Sequence, residues 1–162
     1  MRITRLFTVT VCLILAAGAT GAAQKPSTPT ANAAVKAGFD EVSGWLAAAA
    51  ELVPADKYTY HPVSTVRSFG ELMAHAADGM NWYCGSAKAA KDVPWSDAVE
   101  KGDTSKAKVV AALKSATAGC AAAYASPTAR IDKLMGNVAH SSLHYGNAIT
   151  YLRMMGLKPP SS

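Results

Sequence analysis

The chain has 162 residues, of which 50% are hydrophobic, and its formal net charge is +5. This length suits one domain with a sizeable core, and the hydrophobic fraction excludes an intrinsically disordered chain. The basic residues are scattered and form no stripe with interleaved aromatic residues, so we expect no nucleic-acid partner.

Residues 1–23 have the three parts of a secretory signal peptide. Arg2 and Arg5 form a basic start, residues 6–17 form an apolar segment, and Gly21 and Ala23 suit a cleavage site. The apolar segment is too short to cross a bilayer, which takes about 20 residues. We therefore expect an exported protein, periplasmic or extracellular, without stable membrane insertion, and an uncleaved anchor is the alternative.

The folded domain is expected over residues 31–162, because residues 24–30 are rich in Pro, Ser and Thr and predict a flexible linker. In the first predicted helix, hydrophobic residues recur at alternating spacings of four and three, which is typical of a helix packed in a bundle. Pro54 ends this helix. The repeating residues are Val35, Phe39, Val42, Leu46, Ala49 and Val53.

The second predicted helix begins at Ser68, which forms an S-x-x-E capping box with Glu71. Its hydrophobic stripe fades near Lys91, and a polar connection covers residues 91–103. The stripe consists of Phe69, Leu72, Ala76, Met80, Tyr83 and Ala87.

Two more helices follow the polar connection. The third is predicted to begin near Thr104 as its N-cap and to end at Ser126, and the fourth covers roughly Ile131 to Met155. Gly156 suits the C-terminal end of the fourth helix. Since no strand-like alternation of any length appears, the sequence predicts an all-α four-helix bundle.

Cys84 and Cys120 lie equally far along the second and third predicted helices. If these helices ran antiparallel, the two heights would differ by roughly 15 Å at about 1.5 Å per residue. A disulfide needs Cα atoms within about 7 Å, and export favours its formation. The spacing therefore predicts a Cys84–Cys120 disulfide between parallel neighbours in an up-down-down-up bundle, and two buried free thiols are the alternative.

Three of the four histidines can converge on one point. His140 and His144 are four residues apart on the fourth predicted helix, toward the flank of its stripe, and His75 has the same offset on the second. Three imidazoles can hold a divalent metal and leave a coordination position open, as in catalytic zinc sites. Alternatively the rings are solvated and bind nothing. His61 has no partner spacing and is expected at the surface or in loop packing.

Residues one turn away from the histidines are expected to orient them. Glu71 and Asp78 flank His75, while Asn137 and Asn147 flank the other pair. Core packing of the Trp82 and Tyr83 rings is favoured over a role in the pocket, and Trp82 is the better pocket candidate of the two.

Two segments resemble the DinB/YfiT-like family, especially its secreted members. PVSTVRSFGELMAHAADGMNWYC is similar to a P-x-x-x-V-R-[ST]-F-G-x-L-x-x-H-x-A pattern, and AHSSLHYGNAITYLRMMGLKPPSS is similar to an H-x-x-x-H-Y-G-N-x-x-T-Y-L-R-x-x-G-x-x-P-P-S-S ending. The resemblance implies an up-down-down-up bundle and a divalent metal, zinc or nickel, held by His75, His140 and His144. It also implies a homodimer.

The same resemblance implies kinship with thiol-dependent transferases and isomerases. The leading hypothesis for this chain is a metal-dependent transferase or hydrolase that uses a small-molecule thiol or another small substrate. The chain departs from cytosolic members at Tyr145-Gly146-Asn147, where many have Arg-Gly-Gln, and at Ser142-Leu143, where relatives often have Asn-Glu. The alternative is therefore a non-enzymatic metal-binding or stress-associated envelope protein, and a plain structural bundle is the third interpretation.

Overall fold

Four α-helices and no β-strand make up residues 30–162, the part of the chain that the structure, a computed structural model, describes. The predicted signal peptide and all but the last residue of the predicted linker lie outside the described residues. None of the described helices is long and apolar enough to span a membrane. The helices are α1 (Ala31–Leu52), α2 (Phe69–Lys88), α3 (Lys106–Ala125) and α4 (Ile131–Met154).

Most helix ends follow the local sequence closely, although α2 ends at Lys88, three residues before the predicted Lys91. The capping box of α2 is confirmed: the Ser68 hydroxyl accepts from the Glu71 N–H, and the Glu71 carboxylate accepts from the Ser68 N–H. The N-cap of α3 is Ser105 and not Thr104, so that prediction was wrong by one residue. The carbonyl of Thr104 lies against α2 instead, where a Cβ on Gly70 would approach it to 2.5 Å.

The predicted hydrophobic stripes form the core between the helices. Of the residues predicted for the stripes of α1 and α2, only Val35 and Tyr83 are partly buried. Since apolar area removed from water contributes about 25 cal/mol per Å², this shared core is the main source of stability. The largest fully buried apolar side chains are Phe69, Leu46, Met73, Met80, Leu134, Leu152, Val53 and Val109.

Helix α2 packs against both α3 and α4, and α1 packs against the same two helices. Hydrogen bonds tie α2 to α4 at both ends: the Arg130 N–H donates to the Ala87 carbonyl at 2.9 Å, and the Tyr151 hydroxyl donates to the Arg67 carbonyl at 2.7 Å. Because α2 and α4 lie side by side between these points, their central residues face each other.

Cys84 and Cys120 lie at disulfide distance, with Cα atoms 5.2 Å apart, and link α2 to α3 as predicted. Both residues are buried. The Asn137 side-chain amide from α4 lies 3.5 Å from the Cys84 sulfur and 3.7 Å from the Cys120 sulfur. One small region of the core therefore holds three helices together, and closure of the intervening loop stabilises the fold by about 3–4 kcal/mol.

Candidate metal centre

His75 from α2 meets His140 and His144 from α4 in a single cluster. One ring nitrogen of each histidine lies within 4.8 Å of those of the other two. The ring centroids are 5.3 Å apart for His75 and His140, and 4.8 Å apart for His75 and His144. The structure thus brings together all three histidines that the sequence singled out, whereas His61 is exposed in the loop before α2.

The two histidines of α4 have little else to bind. Their Nε2 atoms are 3.1 Å apart, and their Nδ1 atoms are buried without a hydrogen-bond partner among the described residues. A buried polar atom left unpaired costs about 1–3 kcal/mol. Two Nε2 atoms at this distance can share one proton in a hydrogen bond, and when both carry a lone pair they can bind a shared cation.

Burial also sets the protonation state of these two rings. It lowers the pKa of His140 to about 4, with smaller contributions from His75 and Arg67. Burial likewise lowers the pKa of His144 to about 4, helped by the neighbouring His140. Both imidazoles are therefore neutral at pH 7, and the neutral ring is the form that ligates a metal.

His75 is held differently, by a carboxylate from the polar connection between α2 and α3. The Glu100 Oε2 atom lies 2.7 Å from His75 Nδ1. The Arg67 Nε–H donates to Glu100 Oε1 at 2.5 Å. Burial raises the pKa of Glu100, but the hydrogen bonds from Arg67 and His75 outweigh this effect, and the pKa lies below its usual 4.5. Glu100 is therefore ionised at neutral pH.

Asp78 fixes the backbone that carries Glu100. Its carboxylate accepts from the Val99 N–H at 3.1 Å and from the Glu100 N–H at 2.9 Å. Asp78 is buried one turn beyond His75 on α2. The sequence-based expectation that Asp78 helps to orient His75 thus has a structural basis, although the contact runs through Glu100.

Gly79 creates the space for the His140 ring. A Cβ at this position would lie 2.1 Å from His140 Cε1 and 2.5 Å from Nδ1, closer than any real contact. A glycine inside a helix costs about 1 kcal/mol relative to alanine, which is a sequence signal of close approach. Sequence reasoning missed Gly79, Arg67 and Glu100. Glu100 gave no signal because it lies in a polar connection without periodicity.

The aromatic residues that contact the histidines are Tyr83 and Trp95, whereas Trp82, the better pocket candidate by sequence, packs elsewhere. The Tyr83 ring lies 5.6 Å from His140, and the Trp95 ring lies 5.6 Å from His75. Trp82 stands behind them: its indole N–H donates to the Val93 carbonyl at 2.8 Å, and Lys133 lies over its ring. Trp82 therefore packs the polar connection onto α2, and Tyr83 and Trp95 border the histidines.

The other residues that were predicted to orient the histidines make their contacts elsewhere. Glu71 is committed to the capping box of α2. The Asn137 amide donates to the Tyr124 hydroxyl beside the disulfide, away from the imidazoles. Asn147 is exposed and lines a cavity next to His144.

This cavity has a volume of about 570 Å³ and lies beside the histidine cluster. Its wall combines aliphatic side chains, including Val63 and Val66, with polar groups, and both His144 and Glu100 border it. It is large enough for a small organic molecule. The cluster therefore has an adjoining space through which a ligand could reach it.

The three histidines offer the donor set of a metal-ion site. The three imidazole nitrogens lie within 4.8 Å of one another, His140 and His144 are neutral because they are buried, and their Nε2 atoms face each other at 3.1 Å. The chain matches no protein-family model, no curated protein and no solved structure with which it was compared. The interpretation of the site therefore depends on its own geometry.

Proposed function

We propose that this chain is an exported divalent-metal-binding protein whose ligands are His75, His140 and His144. The observation that carries the proposal is the convergence of the three ring nitrogens within 4.8 Å of one another. Three protein ligands leave at least one coordination position for a small molecule. We further propose a metal-dependent transferase, using a small thiol, or a hydrolase.

The proposal includes membership of the DinB/YfiT-like family and its up-down-down-up topology. Helices α2 and α3 meet near their starts, at Gly70 and Thr104, and again further along, at the two cysteines. This order of contacts supports parallel neighbours. The hydrogen bond between Arg130 at the start of α4 and Ala87 at the end of α2 supports an antiparallel pair.

Export is proposed from the N-terminal sequence together with the cysteines. Residues 1–23 have the pattern of a signal peptide, and a buried cysteine pair at disulfide distance suits an oxidising compartment. The destination is the periplasm or the extracellular space.

A bound zinc or nickel ion would supply Lewis acidity, which lowers the pKa of a coordinated thiol or water. The chain's own contribution is to present neutral imidazoles, to hold His75 through Glu100, and to border the approach with the aliphatic wall of the cavity. Val63 and Val66 would pack against the apolar part of a substrate.

The alternative is a metal-binding protein without turnover, such as a stress-associated envelope protein. One observation favours it: both carboxylates tied to the cluster are already engaged. Glu100 binds Arg67 and His75, and Asp78 binds backbone amides. Neither is free to act as a general base without breaking these contacts.

Metal analysis of protein purified without a histidine tag tests the site directly. We expect about one metal ion per chain after loading with zinc or nickel, and loss of stoichiometric metal in the His75→Ala variant. His61→Ala is the matched control, because His61 is exposed and outside the cluster. Failure to load any of several divalent metals would contradict the proposal.

Turnover separates the enzyme from the non-enzymatic alternative. A panel of thiol-transfer, ester and amide substrates is assayed with metal-loaded protein, with the metal-free protein and with His75→Ala as controls. Metal-dependent turnover supports the enzyme. Stoichiometric metal without turnover of any substrate favours the non-enzymatic protein.

A further inference from the structure

The connection between α2 and α3 carries the charged group closest to the histidine cluster. Its final turn, held by a hydrogen bond from the Lys101 N–H to the Asp97 carbonyl, presses Glu100 against His75. The two side chains are only 18% and 16% exposed. A carboxylate removed from water to this extent needs compensating partners, and the surrounding contacts show what it gains.

Hydrogen bonds restrain both the side-chain carboxylate and the backbone of Glu100. Arg67, from the loop before α2, donates to Oε1 at 2.5 Å and approaches Oε2 at 3.4 Å. The Glu100 backbone N–H donates to the buried Asp78 carboxylate at 2.9 Å. The carboxylate oxygen that faces His75 therefore has little freedom to move, because its side chain and its main chain are both restrained.

The negative charge of Glu100 is balanced by Arg67, whose guanidinium pairs with its carboxylate. His75 can then donate a neutral Nδ1–H to Glu100 Oε2, which fixes the tautomer and leaves the lone pair on Nε2. In His140 and His144 the Nε2 atoms are likewise the nitrogens that approach each other.

We propose that Glu100 is a positioning residue for the metal, which holds His75 as the Nδ1–H tautomer so that Nε2 is the coordinating nitrogen. The inference rests on the proposed function and adds to it a residue on the 91–103 connection. This connection is thus part of the metal centre. Arg67 and Asp78 act one step further out, by fixing the two ends of Glu100.

The test compares the metal affinity of Glu100→Ala, Glu100→Gln and wild-type protein by competition with a chelator for zinc. Loss of a partner that orients a ligand typically weakens metal binding about 10- to 100-fold. We expect that loss for Glu100→Ala and a smaller one for Glu100→Gln, whose amide oxygen can still accept from Nδ1–H. Asp97→Asn is the matched control, since Asp97 lies in the same connection and pairs with the exposed Lys101.

A second measurement separates positioning from simple loss of structure. Long-range ¹H–¹⁵N NMR on the metal-free protein reports the tautomer of His75, and we expect Nδ1–H in the wild type and a mixture in Glu100→Ala. The isosteric Glu100→Gln variant serves if Glu100→Ala does not fold. Wild-type zinc affinity in a folded Glu100→Ala, or an Nε2–H tautomer in the wild type, would overturn the inference alone. Failure of the wild type to bind zinc would overturn the proposed function as well.

Discussion

Helix α2 meets its neighbours in two regions of opposite character. At Cys84 the contact is covalent, and Asn137 adds an amide that reaches both sulfurs and the Tyr124 hydroxyl. At His75 the contact with α4 consists of three imidazoles, two of which have buried nitrogens without a partner among the described residues. The first region links the helices within the chain, whereas the second presents donors that a ligand can complete.

The comparison shows which of the two regions stabilises the bundle and which is available to bind a ligand. The cysteine region contributes by restricting the unfolded chain, although the Asn137 Oδ1 atom beside it is also buried without a hydrogen-bond partner among the described residues. The histidine region carries two unpaired ring nitrogens and the largely buried Glu100 carboxylate, which cost free energy in a fold that lacks a ligand. Such local costs are expected at functional sites.

Removal of the disulfide should destabilise the cysteine region and leave the histidine region intact. We expect Cys84→Ala/Cys120→Ala to lower the free energy of unfolding by about 3–4 kcal/mol, while the folded variant retains stoichiometric zinc. Urea denaturation and metal analysis at low temperature measure the two effects. Wild-type protein under reducing conditions is the control, and an unchanged urea midpoint would contradict a stabilising role.

Gly79→Ala should instead disturb the histidine region and leave the cysteine region intact. The added methyl would lie 2.1 Å from His140 Cε1, so the ring must move, and we expect zinc affinity to fall at least about tenfold. Gly44→Ala in α1 is the matched control, because no atom lies within 4 Å of its Cβ. Chelator competition measures the change, and equal affinities for Gly79→Ala and wild type would count against this packing.

Acid should also weaken the histidine region in the metal-free protein. The pKa of His140 and of His144 is about 4 in the folded chain, against an ordinary value of 6.5. The unfolded chain therefore binds protons that the folded chain does not, and stability falls as the pH drops from about 6.5 toward 4. We expect a loss of about 1–2 kcal/mol, after allowance for solvent screening.

Urea denaturation of metal-free protein at several pH values between about 4 and 6.5 measures how steeply the free energy of unfolding depends on pH. A variant with His140→Gln and His144→Gln is the control, and its stability should depend less on pH. An equally steep slope in that variant would assign the effect to other groups.

The smallest effect concerns the start of α2, which leads into the histidine region. Ser68→Ala removes one half of the capping box and should lower the free energy of unfolding by about 1 kcal/mol. Thr104→Ala is a sharp comparison, because Thr104 was predicted as a cap whereas Ser105 occupies that position. Thermal denaturation distinguishes the two, and an equal loss in Thr104→Ala would contradict the observed start of α3.

The helices and the histidine cluster could be predicted because periodic spacing carries the information. Residues such as Phe39 and Leu46 mark a buried face at fixed intervals, and His140 and His144 follow the same helical geometry. The cap of α3 was misplaced because Thr104 and Ser105 are both good N-caps. Packing was the favoured interpretation for Trp82, but its position on α2 does not reveal that its indole N–H donates to the Val93 carbonyl.

The sequence by itself determined the all-helical class, the extent of each helix within about three residues, the cysteine pairing and the three histidines, since all of these follow from spacing along one or two helices. Only the tertiary structure decided that Glu100 and Arg67 meet at His75 and that Gly79 admits the His140 ring. These contacts join segments that have no common periodicity. The folded path of the polar connection determines them, and local patterns in the chain do not.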